Sequence, residues 1–284
     1  MSNLLIVGGG KMGGALLGGL LGRGSIAPSL VTVIEPVAER RAELEDLYPG
    51  LRTLGAPEPG VLDERADGGG VGEGGEGMPL PGAVLAVKPD QAEAACRALG
   101  VSGVGVRRVL SIVAGVPCQR LESALGGEPA VIRAMPNMPA LIGAGVAAMA
   151  GGSFVRSGDL DWAEQLLSAL GTVVRLPERL LDAVTGLSGS GPAYFFLVAE
   201  ALIEAGVQMG LARDVSRTLV VETMRGSAAL LAETERDPAA LRADVTSPAG
   251  TTAAGVRALE TRAVRSAFME AVAAATERSR NLQR

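Results

Sequence analysis

A hydroxyl-rich stretch near the C-terminal end, residues 244–252 with the sequence DVTSPAGTT, has side chains suited to binding an anion. Four hydroxyls fall within seven residues, and no charge follows the first aspartate. Pro248 has no amide hydrogen and disfavours the helical region at Ser247, so the stretch is predicted to be a turn. Helix-like sequence follows, which places Thr251 or Thr252 near a helix N-terminus. Amides and the helix dipole attract a carboxylate there without a cationic side chain; the alternative is a turn that only caps its helix.

A glycine-rich turn near the N-terminus has the spacing of a dinucleotide-binding site. Gly8, Gly10 and Gly13 match the pattern G-x-G-x-x-G, with an apolar run at residues 3–7 before it and helix-like sequence after it. Glycines let the chain turn tightly and let a pyrophosphate approach the backbone at a helix N-terminus. A second apolar run at residues 31–35 closes a β-α-β unit and strengthens this interpretation. The alternative is a glycine-rich turn that binds no ligand.

Glu35 ends the second of these predicted strands. An acidic residue at this position commonly binds the ribose hydroxyls of adenosine and favours NAD. Arg40 and Arg41 follow closely, and they could instead face the 2′-phosphate of NADP. A third interpretation is that all three side chains are solvated charges around a surface helix, so the sequence leaves the choice of cofactor open.

The elements that position these residues alternate between strands and helices in the first half of the chain. Apolar runs predict strands at residues 3–7, 31–35, 83–87, 109–114, 131–134 and 146–150, the last of the sheet. This order predicts a doubly wound parallel sheet with its ligand at the carboxyl ends of the strands. Lys88, Gly115 and Asn137 follow strand ends, where a nicotinamide should lie, although each could equally be a turn residue or a cap.

The second half of the chain is predicted to be helical. We expect a dinucleotide-binding domain at residues 1–156 and a helical domain at residues 157–284, with a flexible glycine-rich surface insertion at about residues 66–82. The turn GLSGSGP at residues 186–192 precedes a helix that is apolar nearly all round. Helical faces too apolar for solvent predict a homodimer.

Composition excludes several functional classes. The 284 residues include no histidine, which removes the commonest general acid and most zinc sites, and no metal site is predicted. A net charge of −5 and few aromatic residues argue against a nucleic-acid partner. The sequence predicts neither a signal peptide nor a membrane helix. Cys96 and Cys118 stand alone, so a reducing cytoplasm is expected.

The chain resembles the pyrroline-5-carboxylate reductases, the last enzymes of proline biosynthesis. The resemblance lies in the motifs IVGGGKMGG at residues 6–14, AVKP at 86–89, RAMPN at 133–137, LSGSGPAY at 187–194 and the hydroxyl-rich stretch itself. It implies a Rossmann-type domain followed by a helical domain that forms homodimers and assembles as far as decamers. It also implies hydride transfer from NAD(P)H to the imine carbon of 1-pyrroline-5-carboxylate, which gives L-proline.

In that family the substrate lies at the dimer interface, with its carboxylate held by the turn SPxGTT. The resemblance therefore implies that the carboxylate is bound by Ser247, Gly250, Thr251 and Thr252. Thr252 is expected to be the catalytic residue, with its hydroxyl bonded to the ring nitrogen, and Glu178 matches a family position near the substrate. An iminium is already an electrophile, so hydride addition needs no strong acid, which agrees with a chain that has no histidine.

The same resemblance implies a set of cofactor-binding residues. Those that match the pyrophosphate turn are Gly8, Gly10, Lys11 and Met12. Those that match the nicotinamide side are Ala86, Val87, Lys88 and Ala114. Asp244 falls where many members have asparagine near the cofactor. Glu35 is included as the residue expected to bind the adenosine ribose. Because the family mostly uses NADPH, we expect NADPH first, with NADH as the alternative.

Two residues depart from the family pattern. Ala249 replaces the usual glycine, so we expect that its backbone does not need a left-handed conformation. Glu35 stands where NADPH-preferring members often have small or basic residues. Two alternative functions are kept: another imine or 3-hydroxyacid reductase, disfavoured because no lysine follows Lys88, and a non-catalytic nucleotide-sensing protein, which would not need the intact threonines of the turn.

Overall fold

The computed structural model describes residues 4–62 and 81–282. It divides the chain into two compact units, one formed by residues 1–189 together with 275–284 and the other by residues 190–274. We call them the sheet unit and the helical unit. The predicted glycine-rich insertion lies outside the described residues as far as residue 80, and Gly82 already belongs to a strand.

The sheet unit contains an eight-stranded sheet with the order β3-β2-β1-β4-β5-β6-β7-β8. Its strands are β1 (Leu4–Val7), β2 (Val31–Ile34), β3 (Arg52–Leu54), β4 (Gly82–Leu85), β5 (Arg108–Ser111), β6 (Ala130–Pro136), β7 (Gly145–Gly151) and β8 (Gly171–Arg175). All neighbouring strands are parallel except β6 and β7. The predicted Rossmann-type α/β class is therefore confirmed.

Two details of the predicted sheet are wrong. The sheet is not wholly parallel, because residues 137–144, which join β6 to β7, are too few for a parallel crossover of about a dozen residues. Residues 146–150 are not its last strand, because β8 pairs beside β7. The first unit therefore continues to residue 189, past the predicted domain boundary at residue 156.

Apolar side chains of the strands alternate between two cores, one on each face of the sheet. In β1, Leu4 and Ile6 lie in one core and Leu5 and Val7 in the other. Helices cover both faces, as the alternation of strands and helices predicts. They are α1 (Lys11–Gly22), α2 (Ala38–Leu47), α3 (Ala92–Val101), α4 (Cys118–Leu125), α5 (Ser157–Leu167) and the short α6 (Leu181–Val184).

The helical unit consists of α7 (Gly191–Gln208), α8 (Arg213–Thr234), α9 (Pro238–Asp244), α10 (Thr251–Thr261) and the first part of α11 (Val264–Leu282). Large apolar side chains are more than half exposed on these helices, among them Phe195 and Leu197 of α7 and Met269 of α11. Exposed apolar side chains in this number favour a contact with another protein or a membrane.

Among the described residues, one helical stretch, Glu178–Gln208, is long and apolar enough to cross a membrane by length and composition alone. Glu200 and Glu204 lie within it. The same length and composition also suit a helix whose apolar surface is covered by protein, so the expectation that the chain has no membrane partner stays a prediction.

The last turns of α11 belong to the sheet unit. Ser279 donates a hydrogen bond from its hydroxyl to Asp182 Oδ1 over 2.8 Å, and both side chains are buried. Leu282 lies close to Gly115, in the loop after β5. The C-terminal residues therefore complete the packing of the sheet unit.

Candidate active site

The order of the strands reverses between β1 and β4, and in sheets of this type ligands bind where the order reverses. A cavity of about 560 Å³ opens at the carboxyl ends of these strands and of β2. The predicted residues that line it are Gly8, Gly10, Glu35, Ala86, Val87 and Lys88. Its volume is in the range of cavities that hold small molecules and cofactors.

The three glycines of the turn after β1 serve different structural purposes. Gly8 has a φ of 104°, and a Cβ atom there would lie 2.6 Å from the carbonyl oxygen of Ala86. A Cβ at Gly13 would overlap the carbonyl oxygen of Gly8. Gly10 begins α1 as its N-cap, with a φ of −70° and open space where a Cβ would be. The first and third glycines therefore close the turn, and the second leaves room at the helix N-terminus.

Lys11 and Met12 form the start of α1 and do not line the cavity. Their amides belong to the first turn of the helix, where unpaired N–H groups bind a phosphate, so their predicted role remains compatible with their place. Ala114 follows β5 and is partly exposed, also outside the cavity lining.

Glu35 is held against the glycine-rich turn. Its Oε2 accepts a hydrogen bond of 2.9 Å from the amide of Gly9, and its Oε1 accepts one of 3.1 Å from the amide of Val37. Arg40 donates from Nε to the carbonyl oxygen of Gly9 over 2.8 Å, and Arg41 donates from Nη1 to the carbonyl oxygen of Glu35 over 2.7 Å. These side chains are therefore fixed by backbone groups at the end of β2 rather than simply solvated.

One wall of the cavity is a face of α3 made of small side chains. Ala94, Ala95 and Ala98 line it, and Gln91 lies just before them. Small residues on one helical face leave space for a flat apolar group. These residues were not predicted from the sequence, although three alanines at helical spacing shortly after Lys88 and Pro89 were a usable signal.

Glu178 lies in a network of charged groups in the sheet unit. Its Oε1 accepts a hydrogen bond of 2.8 Å from the amide of Cys118 at the start of α4, and it lies 3.4 Å from Nη1 of Arg133. Arg133 is buried and also lies 3.8 Å from Asp182. This geometry shows a structural contribution of Glu178, while its predicted contact with substrate stays a prediction.

The two cysteines are not poised as nucleophiles. Burial is the largest cause that raises the pKa of the Cys96 thiol, to about 12. Burial also raises the pKa of Cys118, and the nearby carboxylate of Glu178 raises it further. Thiolates are the reactive form of cysteine, so both residues contribute packing rather than chemistry.

Asn137 connects two of the motifs within the sheet unit. Its Oδ1 accepts a hydrogen bond of 3.0 Å from the amide of Val146, and its Nδ2 donates to Ser188 Oγ over 3.4 Å. The side chain thus holds the loop after β6 and contacts Ser188, which lies in a π-helical segment, Thr185–Gly189, rather than in the predicted turn. Asn137 therefore stabilises a turn. This is one of its two predicted roles, the other being a position beside the nicotinamide.

The hydroxyl-rich stretch is a turn, as predicted, and it leads into α10. Gly250 is the N-cap, and Thr251 and Thr252 are the first two residues of the helix. The amide of Gly250 donates to the carbonyl oxygen of Ser247 over 3.1 Å, and the Ser247 hydroxyl lies where a side chain at Gly250 would project. Ser247, Gly250, Thr251 and Thr252 therefore meet at one helix N-terminus of the helical unit.

Two other polar residues of the stretch are directed elsewhere. Thr246 donates its hydroxyl hydrogen bond back to the carbonyl oxygen of Arg242 over 2.6 Å. Asp244, the last residue of α9, forms an ion pair of 2.7 Å with Arg236. The predicted role of Asp244 near the cofactor stays a prediction.

The expectation for Ala249 is wrong. Its φ is 58°, in the left-handed region, although the family's usual glycine is absent. A side chain with a Cβ can adopt this conformation at a cost of about 1–2 kcal/mol. The turn that Pro248 and the N-cap Gly250 require is therefore kept, and the alanine bears the strain.

Replacing Ala249 by glycine is expected to raise the free energy of unfolding by about 0.5–1 kcal/mol. Removing the Cβ relieves the left-handed strain, and the greater freedom of glycine in the unfolded chain offsets part of that gain. Urea unfolding measures the change. The matched control Ala254→Gly, inside α10, should instead lower stability by about 1 kcal/mol; a loss of stability in both variants would contradict the strain.

Known proteins are similar to this chain over nearly its whole length. The family model described as pyrroline-5-carboxylate reductase dimerisation matches residues 178–282. The chain is 41% identical to a pyrroline-5-carboxylate reductase of Synechocystis over 277 residues, which cover 98% of this chain and 97% of the relative.

Solved structures are similar over the same extent. A pyrroline-5-carboxylate reductase of Coxiella burnetii has a TM-score of 0.85 and 31% identity and covers 100% of this chain and 99% of its own. A pyrroline carboxylate reductase of Plasmodium falciparum with NADP bound has a TM-score of 0.81 and 28% identity, covering 100% and 98% of the two chains.

Proposed function

Because this chain belongs to the pyrroline-5-carboxylate reductase family, we propose that its nucleotide cavity and its hydroxyl-rich turn serve that family's reaction. The protein is an oxidoreductase that reduces 1-pyrroline-5-carboxylate to L-proline with NAD(P)H. The observation that carries this function is the likeness to curated reductases over 98% of the chain, which includes both the glycine-rich turn and the hydroxyl-rich turn.

The residues at the end of β1 and β4 fit a dinucleotide. Open space at Gly10 lets a pyrophosphate reach the amides at the start of α1, and the alanine wall of α3 suits an adenine ring. Lys88, three residues after β4, adds a positive charge to the cavity wall. When bound, the reduced nicotinamide supplies the hydride.

The turn before α10 is proposed to bind the substrate. The amides at the helix start and the hydroxyls of Ser247 and Thr251 hold the carboxylate, since a helix N-terminus stabilises a negative charge. The hydroxyl of Thr252 hydrogen-bonds the ring nitrogen and orients the imine carbon. Orientation and exclusion of water supply most of the rate enhancement, because a protonated imine needs no further acid.

The dimerisation match to residues 178–282 shows that the chain forms a homo-oligomer. We propose a homodimer as its basic form, with assembly as far as a decamer, and exposed apolar residues such as Phe195 and Phe196 in the subunit contact. We also propose a cytoplasmic location, because Cys96 and Cys118 are buried free thiols and a reducing compartment keeps them so.

Purified protein is expected to oxidise NADPH or NADH only when 1-pyrroline-5-carboxylate is present, with L-proline as the product. Loss of nicotinamide absorbance measures the rate, and chromatography identifies the product. A 3-hydroxyacid with the oxidised cofactor is the matched substrate control and should give no turnover. Tight nucleotide binding without turnover would instead support the nucleotide-sensing alternative.

A further inference from the structure

The described lining of the nucleotide cavity contains two charged side chains. Lys88 follows β4 by three residues, where the resemblance places the nicotinamide, and Glu35 directly follows β2. The end of β2 is where the adenosine ribose of a dinucleotide is bound in sheets of this order. The charge that faces the ribose end of the cavity is therefore negative.

The carboxylate of Glu35 is fixed in this position. Each of its oxygens accepts a hydrogen bond from a backbone amide, one from Gly9 and one from Val37. A side chain held at both oxygens cannot rotate away to admit a second negative group without losing these bonds. Each oxygen retains acceptor capacity, so the carboxylate can still accept hydrogen bonds from ribose hydroxyls.

The two arginines behind β2 are directed toward the backbone. Arg40 donates to the carbonyl oxygen of Gly9 and pairs with Glu43 over 2.9 Å on the surface of α2. Arg41 donates to the carbonyl oxygens of Glu35 and Pro36. Neither arginine lines the described cavity, although Arg41 lies next to the lining residue Gly55. Both guanidinium groups are thus bound to backbone carbonyl oxygens near the ribose end of the cavity.

We propose that Glu35 makes this enzyme prefer NADH to NADPH. A ribose with a free 2′-hydroxyl donates to the carboxylate, whereas a 2′-phosphate brings at least one further negative charge against it in a partly buried cavity. The resemblance favours NADPH as the cofactor, whereas the negative charge at the ribose end of the cavity favours NADH. The inference rests on the proposed function, because it concerns the cofactor of that reaction.

The test measures dissociation constants for NADH and NADPH by titration calorimetry, and kcat/KM for both with 1-pyrroline-5-carboxylate. The unmodified protein is expected to bind NADH at least about tenfold more tightly. Glu35→Gln and Glu35→Ser should each shift the ratio of the two dissociation constants toward NADPH by about fivefold or more. Two variants are used so that a folding defect in one does not decide the result, and retained NADPH binding shows that the variant is folded.

A control variant separates Glu35 from general charge effects. Glu39→Gln removes the same charge from an exposed position in the first turn of α2. It should leave the ratio within about twofold at physiological salt. A preference of the unmodified protein for NADPH, or an unchanged ratio in both Glu35 variants, would overturn the inference. Absence of turnover with either cofactor would instead count against the proposed function, since binding is measured separately.

Discussion

Replacing Thr252 by alanine is expected to lower kcat with 1-pyrroline-5-carboxylate by about a hundredfold while the dissociation constant of the cofactor stays unchanged. Hydrogen-bonding and proton-transferring side chains placed at the reacting group commonly contribute this much or more. The chain has no histidine that could take over the role. Thr252 is the second residue of α10, so its backbone is fixed at the helix start. Steady-state kinetics and calorimetry measure the two quantities.

Two further variants test whether the effect belongs to the hydroxyl of Thr252. Thr252→Ser keeps a hydroxyl and should restore most of kcat. Thr246→Ala is the matched control, because the Thr246 hydroxyl is bonded back to the carbonyl oxygen of Arg242; its kcat should stay within about twofold. An unchanged kcat in Thr252→Ala would remove this residue from the mechanism.

Replacing Gly8 by alanine is expected to lower the free energy of unfolding by about 3 kcal/mol or more. The left-handed φ of 104° accounts for about 1–2 kcal/mol of this. The remainder comes from the clash of the new Cβ with the carbonyl oxygen of Ala86, 2.6 Å away, which would move β4 or the turn. Urea unfolding measures the loss, and nucleotide binding should fall with it.

Gly10→Ala is the matched control for this prediction. Gly10 has an ordinary φ of −70° and open space at the Cβ position, so the loss of stability should stay within about 1 kcal/mol, the usual cost of alanine at an N-cap. Its new methyl group occupies the space in front of α1, so the affinity for NADH or NADPH should fall. Equal stability losses in the two variants would show that the turn is less constrained than its geometry implies.

The central part of the fold is predictable from the sequence because its signals are local. The strands β1, β2 and β4 to β7 are apolar runs buried on both faces, and the glycine spacing at residues 8–13 marks the turn between β1 and α1. β3 and β8 are partly exposed edge strands of the sheet. Their sequences, RTL and GTVVR, are too short and too polar to stand out from loops.

Other features depend on distant contacts that no local pattern contains. The boundary near residue 156 was predicted from the change to helical sequence, but β8 continues the sheet beyond it. The pairing of Glu178 with Arg133 joins residues far apart in the chain, so a family position near substrate gave no hint of it. At Ala249, the turn requires a left-handed backbone, and alanine adopts it although this conformation is unfavourable for a residue with a Cβ atom.

The return of α11 to the sheet unit affects when the protein can finish folding. Ser279 pairs with Asp182 across 97 residues of sequence, and the whole helical unit lies between them in the chain. On the ribosome, the strands around the glycine-rich turn emerge first, and Ser279 emerges only after the whole helical unit. Domains generally fold as units during synthesis. Here the sheet unit has to wait for the last turns of α11, so its final packing is completed only after the whole helical unit has been synthesised.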